Sequence, residues 1–447
     1  MDRTIEDFVR GLGLDAYLVG GAVRDELLGL ESKDADFVVP GVDYDGLRRA
    51  LEPHGGVEDL EVAGRRVGAR LHPRDARVRA AAPAGIEFAP PRAEQSTGPG
   101  RHDFEIVADP ALSIEDDMAR RDFTVNAIAR RLETGELVDP FGGRADLEAG
   151  VLRTVGPRSF AEDPLRIVRG LRLVSQLGLT PVESTLQQMR DESDSVRLVS
   201  GERVGGGLHA DGMGELSKLL LGRYPEKALL LARDTGVLVA LLPELEPTIA
   251  FAQDSGRQHL PLDEHIFATV QAAADANDNL RVRLGALLHD AGKPGANDDH
   301  AQRGAQLAYE ALGRLRYPSR LRTYVTKLVR AHAFALERVD ELFARRFLRE
   351  HGDELAFDLV AHKLADLRAK QVPAAEDEAA ERLRALLEQE RSQPHRLQDL
   401  AINGSDLLEL GYSEGPELGR MLDSLLDAVV DEPQLNTREQ LLARARR

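Results

Sequence analysis

Near residue 150 the chain changes its hydrophobic period, and that change limits the folds open to it. Residues 1 to about 150 alternate short β-prone runs (16–19, 34–39, 67–71, 85–89, 104–107 and 136–138) with helical patterns. From about 151 the β signals fade and a 3.6-residue apolar repeat takes over, as in "DPLRIVRGLRLVSQLG". The expected architecture is therefore an α/β head followed by an all-helical body. A chain of 447 residues is too long for one small core, which points to several domains.

Within the head, Asp34 and Asp36 precede the apolar run "FVVP". Residues i and i+2 of a strand share a face, so two carboxylates would stand side by side and suit two hard divalent cations. Such a pair can clamp the attacking and leaving oxygens of a phosphoryl displacement. It also suits a solvated strand start. Upstream, "AYLVGGAVRD" runs an apolar strand into Gly20-Gly21 and then a helical pattern. Glycines at a strand-to-helix turn let backbone N–H groups approach a phosphate, and Arg24 can add a fork of donors.

Two further groups lie downstream. In "EDDMARRDFTVNAIA" the acidic residues suit a helix start, and the spacing predicts Asp122 and Asn126 one turn apart on one helical face. Arg121 and Asn126 can hold a nucleotide's ribose and phosphates with Asp122 orienting them; a salt-bridged surface helix has the same pattern. In "AEDPLRIVRGLRLVSQLG" the i,i+3 spacing predicts that Asp163 and Arg166 meet on one face. That pair can read the Watson–Crick edge of a base or form an ordinary surface ion pair. Arg169 and Arg172 extend a basic stripe fit for RNA phosphates. Residues 92–103, rich in Gly, Pro, Ser and Thr, predict a mobile loop.

Taken in order, "YLVGGAVRDELLG", "KDADFVV", "RRDFTVNAIA", "VDPFGGRADLEAGVLRTVG" and "EDPLRIVRGLRLVSQLG" resemble the motifs of the class II tRNA nucleotidyltransferase and bacterial poly(A) polymerase family, most of all its CCA-adding members. The resemblance spans residues 16–180, and "SGERV" resembles the family's neck motif. It implies a polymerase-β-like nucleotidyltransferase head, with Asp34, Asp36 and Glu87 as the carboxylates that hold Mg2+. Gly20, Gly21 and Arg24 would take the triphosphate. Arg121, Asp122 and Asn126 would contact the incoming nucleotide, Asp163 and Arg166 would act as a protein template that selects CTP and then ATP, and Arg169 would also bind nucleotide. The implied reaction is addition of C, C and A to the 3′ end of tRNA. A-only, C-only and poly(A) addition share these head motifs. The glycines of "GGGLHADGMG" (205–214) depart from the family's continuous neck helix, since each costs about 1 kcal/mol in a helix.

Beyond residue 250 the series His265, His289-Asp290, His300, His332 and Asp366 resembles the HD phosphohydrolase superfamily. The resemblance implies a metal set of His265, His289, Asp290 and Asp366. Mn, Ni, Mg, Fe and Zn all suit such ligands. Phosphatase and 2′,3′-cyclic phosphodiesterase activity are implied; an HD phosphohydrolase with an RNA-binding head is the contrasting reading. The expected division is a head (1–150), an all-α neck (151–250), an HD-type domain (251–375) and a helical tail (376–447).

Composition narrows the partners. There is no cysteine, so disulfides and thiolate metal sites are excluded. A net charge of −18 argues against general nucleic-acid adhesion but permits a local arginine-lined groove. The start, "MDRTIEDFVR", lacks a signal-peptide pattern, and the most apolar stretch is broken by Arg233-Asp234. A cytoplasmic location is expected.

Overall fold

The computed structural model describes residues 1–31, 35–62, 64–96, 104–206, 213–253, 259–295, 299–370 and 373–446. Asp34 lies outside the described residues. The chain forms two compact units: Met1–Val204 with Lys227–Leu241, and Gly205–Glu226 with Leu242–Arg447. The stretch 151–250 contributes to both.

The first unit is built on strands β1 (Tyr17–Val19), β2 (Asp36–Val38), β3 (Gly55–Val62), β4 (Arg65–Pro73), β5 (Ile86–Ala89), β6 (Arg92–Ser96), β7 (Phe104–Ala108), β8 (Ala129–Arg131) and β9 (Leu137–Val138). Seven of them form one mixed sheet in the order β3-β4-β5-β2-β1-β8-β9, in which β2 and β5 run parallel and the other neighbours antiparallel. Side-chain alternation divides its two faces. Leu18, Phe37 and Phe88 enter a core with Ile5, Val9, Leu47 and Leu51 from flanking helices, and the Phe37 and Phe88 rings stack at 5.4 Å. Val19 and Val38 enter a smaller cluster with Ile114 and Met118 on the opposite face.

Two expectations fail here. Of the loop expected at 92–103, residues 92–96 are instead strand β6, paired antiparallel with β7, a pattern that "RAEQS" does not advertise by alternation, and residues 97–103 lie outside the described residues. Nor does a helix run through 115–129: it stops at Ala119. The Asp122 carboxylate accepts from its own Phe123 N–H (2.9 Å), and Thr124 N–H donates to Arg153 O (2.9 Å) while Val155 N–H donates to Asp122 O (3.2 Å). Local Asp bonding and pairing with 153–155 outcompete the helical ladder.

The second unit is helical. Its core packs Leu328, Phe347, Leu359, Val360, Leu383 and Leu387, and the C-terminal helices enclose a separate cluster around Leu407, Leu426 and Val429. Among the described residues no helix is long and apolar enough to cross a membrane. Of the glycine run at 205–214, Gly205 and Gly206 end a short π-helical turn, Glu202–Gly206, and residues 207–212 lie outside the described residues. Gly206 N–H donates to Leu315 O (2.9 Å), and a Cβ on Gly206 would lie 1.9 Å from Arg316 O. Gly206→Ala should therefore lower the stability of this unit by about 1–3 kcal/mol, read as a drop in its thermal transition.

Candidate functional site

Sheet register brings most of the head candidates to one end. In β1 and β2, Leu18 pairs Phe37, so the chain leaves β1 at Gly20 beside the start of β2 at Asp36. On the parallel neighbour β5, Glu87 lies directly opposite Asp36. Both carboxylates fall on the Val38 face, away from the Phe37–Phe88 core. Two adjacent carboxylates fit a hard divalent cation. Glu87 also binds Arg70, whose Nη2 and Nε reach Oε1 at 2.6 and 3.1 Å.

A continuous network joins the other candidates to this end. Gly20 has a left-handed φ of 71°, and a Cβ there would lie 2.6 Å from Arg121 Nη1, so the glycine lets that guanidinium lie across the turn. Arg24 Nη1 donates to Asn126 Oδ1 (2.7 Å), and Asn126 Nδ2 donates to Asp122 Oδ1 (3.0 Å). Asp122 Oδ2 pairs with Arg169 Nε at 2.9 Å. Asp122 and Asn126 thus meet, through a 3-10 turn at Thr124–Asn126 rather than a helical face. Burial presses the Asp122 carboxyl upward, but Arg169, Asn126 and Arg166 outweigh it and hold it below the ordinary value.

Asp163 and Arg166 do not pair as their spacing predicts. Asp163 precedes Pro164 and is extended (φ −142°, ψ 102°), as sterics before proline demand. Its carboxylate accepts from Leu165 N–H (3.1 Å) and Arg203 Nη2 (3.2 Å). The Arg166 guanidinium turns instead to Arg120 O (2.8 Å), Ser159 Oγ (3.2 Å) and Glu162 (3.4 Å). Arg203, in "SGERV", and Ser159, whose hydroxyl donates to Asp122 O, are partners that sequence spacing did not single out.

Asp117 was also missed. It is fully buried and accepts from Arg120 Nη2 (2.7 Å) and Arg121 Nη2 (3.1 Å). Burial would raise its pKa, yet the two guanidinium groups more than compensate. Asp117→Ala should cost about 3 kcal/mol in urea unfolding, because it leaves two arginines without their shared partner. The folded value is depressed, so this stabilisation is complete above about pH 4 and is lost as pH falls through the folded value.

The second unit gathers the other set. His265 comes from the helix Leu262–Asp275, His289-Asp290 from the end of Leu280–Leu288, His332 from the end of Ser319–Ala331 and Asp366 from Asp353–Arg368. His265 Nε2 lies 3.1 Å from Asp366 Oδ1, and His289 Nε2 lies 3.1 Å from Asp290 Oδ2. All four are buried. His289 Nδ1 lies 2.8 Å from Ala286 O; a carbonyl only accepts, so Nδ1 carries the proton and Nε2 is turned inward. His265 Nε2, His289 Nε2, Asp290 Oδ2 and Asp366 Oδ1 are buried without a hydrogen bond of good geometry. Ligand atoms of one ion, each about 2.1 Å from it, sit about 3.0–3.5 Å apart, so these spacings fit co-ligands. Burial would lower the His289 pKa, but Asp290 and Asp366 raise it to about 9, a proton that a cation would replace. Lys293 and Lys370 approach Asp290 and Asp366 at 2.6 Å each. His362, four residues before Asp366 and fully buried, was overlooked, although i,i+4 spacing on a helix would have placed it nearby.

A family model described as Poly A polymerase head domain matches residues 16–153, one described as Probable RNA and SrmB- binding site of polymerase A matches 178–249, and a tRNA nucleotidyltransferase domain 2 model matches 304–445. The Multifunctional CCA protein of Xanthomonas campestris pv. campestris is 33% identical over 443 residues, covering 93% of this chain and 97% of that protein. The chain belongs to the tRNA nucleotidyltransferase and poly(A) polymerase family. The Multifunctional CCA protein of Nitrosospira multiformis is 33% identical over 331 residues, 71% of this chain and 73% of that one. Among solved structures, the Bacillus stearothermophilus CCA-adding enzyme in complex with CTP aligns with a TM-score of 0.69 and 24% identity over 99% of this chain and 95% of that chain. The family's polymerase-β-like head with a mixed sheet, followed by a largely helical remainder, is the fold seen here.

Proposed function

We propose that this chain adds C, C and A to tRNA 3′ ends, using CTP and ATP. The observation that carries the reading is the run of hydrogen bonds from Arg24 through Asn126 to Asp122, closed by the Asp122–Arg169 ion pair and set at the sheet end where Asp36 and Glu87 adjoin. The kinship with Multifunctional CCA proteins supports it. Asp34, Asp36 and Glu87 would hold Mg2+, which when bound lowers the pKa of the attacking 3′-hydroxyl and steadies the triphosphate. The Gly20-Gly21 turn presents backbone N–H groups to the phosphates. Arg24 and Arg121, held by Asn126 and Asp117, supply fixed positive charge where negative charge grows on the transferring phosphate. Asp163, Arg166 and Arg169 line the side that selects the base. Since Asp163 and Arg166 are oriented by different partners, each would read the base separately, and a base that leaves a buried polar group unmatched is rejected.

Within the second unit we read residues 251–375 as an HD-type phosphohydrolase domain, following the neck (151–250) and preceding the tail (376–447) in the chain, with His265, His289, Asp290 and Asp366 as ligands of a divalent metal. When bound, the metal would polarise a phosphoryl oxygen and activate water. Both activities suit a protein of the cytoplasm, where tRNA is matured.

Extension of a tRNA transcript lacking CCA tests the first activity. Two C residues are expected with CTP alone, and one further A only when ATP is also present. Addition of A only to a transcript ending in CC would mean an A-adding specialist; long A tails would mean a poly(A) polymerase. No extension under any mixture would overturn the polymerase reading.

A further inference from the structure

From Ala311 to Leu336 the chain carries six lysine and arginine residues and no aspartate or glutamate, in a protein whose net charge is −18. These residues close the helix His300–Arg314 and form the helix Ser319–Ala331. On the second helix Arg320, Thr323, Lys327 and Arg330 recur at intervals of three, four and three residues and are all exposed, while Val325, Leu328 and Val329 are buried. The stripe runs about 15 Å along the helix axis. Other surface arginines of this unit are paired: Arg314 with Glu244 at 2.7 Å, Arg346 with Asp431 at 2.9 Å. Among the described residues, Arg320, Lys327 and Arg330 have no carboxylate within ion-pairing distance. Lys327 and Arg330 are like charges at i,i+3, which weakens a helix, so the stripe does nothing for the fold.

The same two helices carry a stacked pair. Arg322 Cζ lies 4.0 Å from the centre of the Tyr309 ring, and its Nη2 donates to Tyr309 Oη at 2.7 Å. A Cβ on Gly313 would lie 2.7 Å from Arg322 Nη1, so the missing side chain leaves the guanidinium its place. Tyr309 is nevertheless 41% exposed. Between the helices, Arg316 holds a left-handed φ of 59°, a conformation in which glycine is the usual residue, and its side chain is exposed. We propose that this ridge is an RNA-docking surface: Arg316, Arg320, Lys327 and Arg330 take backbone phosphates, and the Tyr309–Arg322 pair takes the face of an unpaired base.

Charge and shape both select RNA. A row of cations free of carboxylates attracts a polyanion even on an acidic protein, because the potential is set locally. A guanidinium fork matches phosphate oxygens, and unpaired RNA bases are held by stacking on aromatic and guanidinium planes. An anionic membrane fits less well: from residue 300 to 336 Tyr309 is the only exposed large hydrophobic side chain, and Thr323 rather than an apolar wedge sits within the stripe. The proposal rests on the CCA-addition reading for the identity of the RNA, a tRNA. It adds to that reading a contact surface in the second compact unit, whereas the nucleotide pocket belongs to the first.

The test compares the full chain with a triple variant, Arg320→Gln, Lys327→Gln and Arg330→Gln, which exchanges exposed residues for another good helix former and so keeps the fold. Binding of a tRNA transcript lacking CCA is followed by fluorescence anisotropy between about 50 and 200 mM salt. The triple variant should bind at least about 10-fold more weakly, and its slope of log affinity against log salt should shrink by about 2–3, one phosphate contact for each cation lost. Tyr309→Ala should weaken binding about 5-fold or more and leave the slope unchanged. In tRNA extension by the triple variant, KM for tRNA should rise while kcat and KM for CTP stay the same. Unchanged tRNA affinity and salt slope in the triple variant would overturn the docking surface and leave CCA addition standing. So would a loss confined to anionic phospholipid vesicles. Unchanged binding in Tyr309→Ala would remove the stacking platform. Failure of the unmodified chain to extend tRNA, with the binding losses as expected, would sink the CCA reading and keep the ridge as an RNA site.

Discussion

Asp36→Ala is expected to lower nucleotide incorporation on tRNA by at least about 100-fold, since removing one preorganised electrostatic contact to a transition state commonly costs that much in kcat. Asp36 is the first residue of β2, is exposed, and stands directly opposite Glu87. The loss should fall on kcat, because a carboxylate that holds metal against the reacting phosphate acts mainly in the transition state. Fold stability should be little changed, since Asp36 contributes nothing to the Phe37–Phe88 core. Hydrolysis of a phosphate ester by the same variant should stay at the level of the unmodified chain. Incorporation within a few-fold of the unmodified chain would remove Asp36 from the reaction.

His289→Ala should produce the reverse pattern. Changing even an outer partner of a metal site costs about 10–100-fold in metal affinity, and His289 would be a direct ligand, so hydrolysis should fall by more than about 100-fold. CCA addition should persist, since His289 belongs to the second compact unit and the candidate nucleotide pocket to the first. Parallel assays of phosphatase activity and tRNA extension check this. Loss of both activities would mean that the histidine cluster is a structural element of the whole chain.

The acidic balance of the chain and its arginine-rich head are compatible because charge is distributed locally. Arg24, Arg120, Arg121, Arg166 and Arg169 each have a carboxylate, carbonyl or amide partner within the network. These contacts hold the guanidinium groups in place before a nucleotide arrives, so less side-chain freedom is lost on binding.

The sequence alone was enough for the change from α/β to helical folding, for the Gly20–Arg24 turn, and for the membership of most of each cluster. Those features are encoded locally: apolar period, glycine at a strand-to-helix turn, and motif order are all written along the chain. Tertiary structure decided how the side chains meet. Asp122 and Asn126 share a bond because residues 121–126 leave the helix to pair with 153–155, a choice made by a distant strand-like segment. Asp163 and Arg166 separate because Pro164 forces the preceding residue to be extended, while Arg203, Ser159 and Arg120 compete for the two side chains. Asp117 looked like one more acidic residue of a helix's first turn until folding buried it under two arginines. Asp290 reads in sequence as half of a His-Asp pair; only packing of four helices shows that its two oxygens face different histidines. Local spacing sets which residues are near in the chain, but the direction of a buried charged side chain follows from where the fold offers it a partner, since an unpaired charge there is too costly to keep.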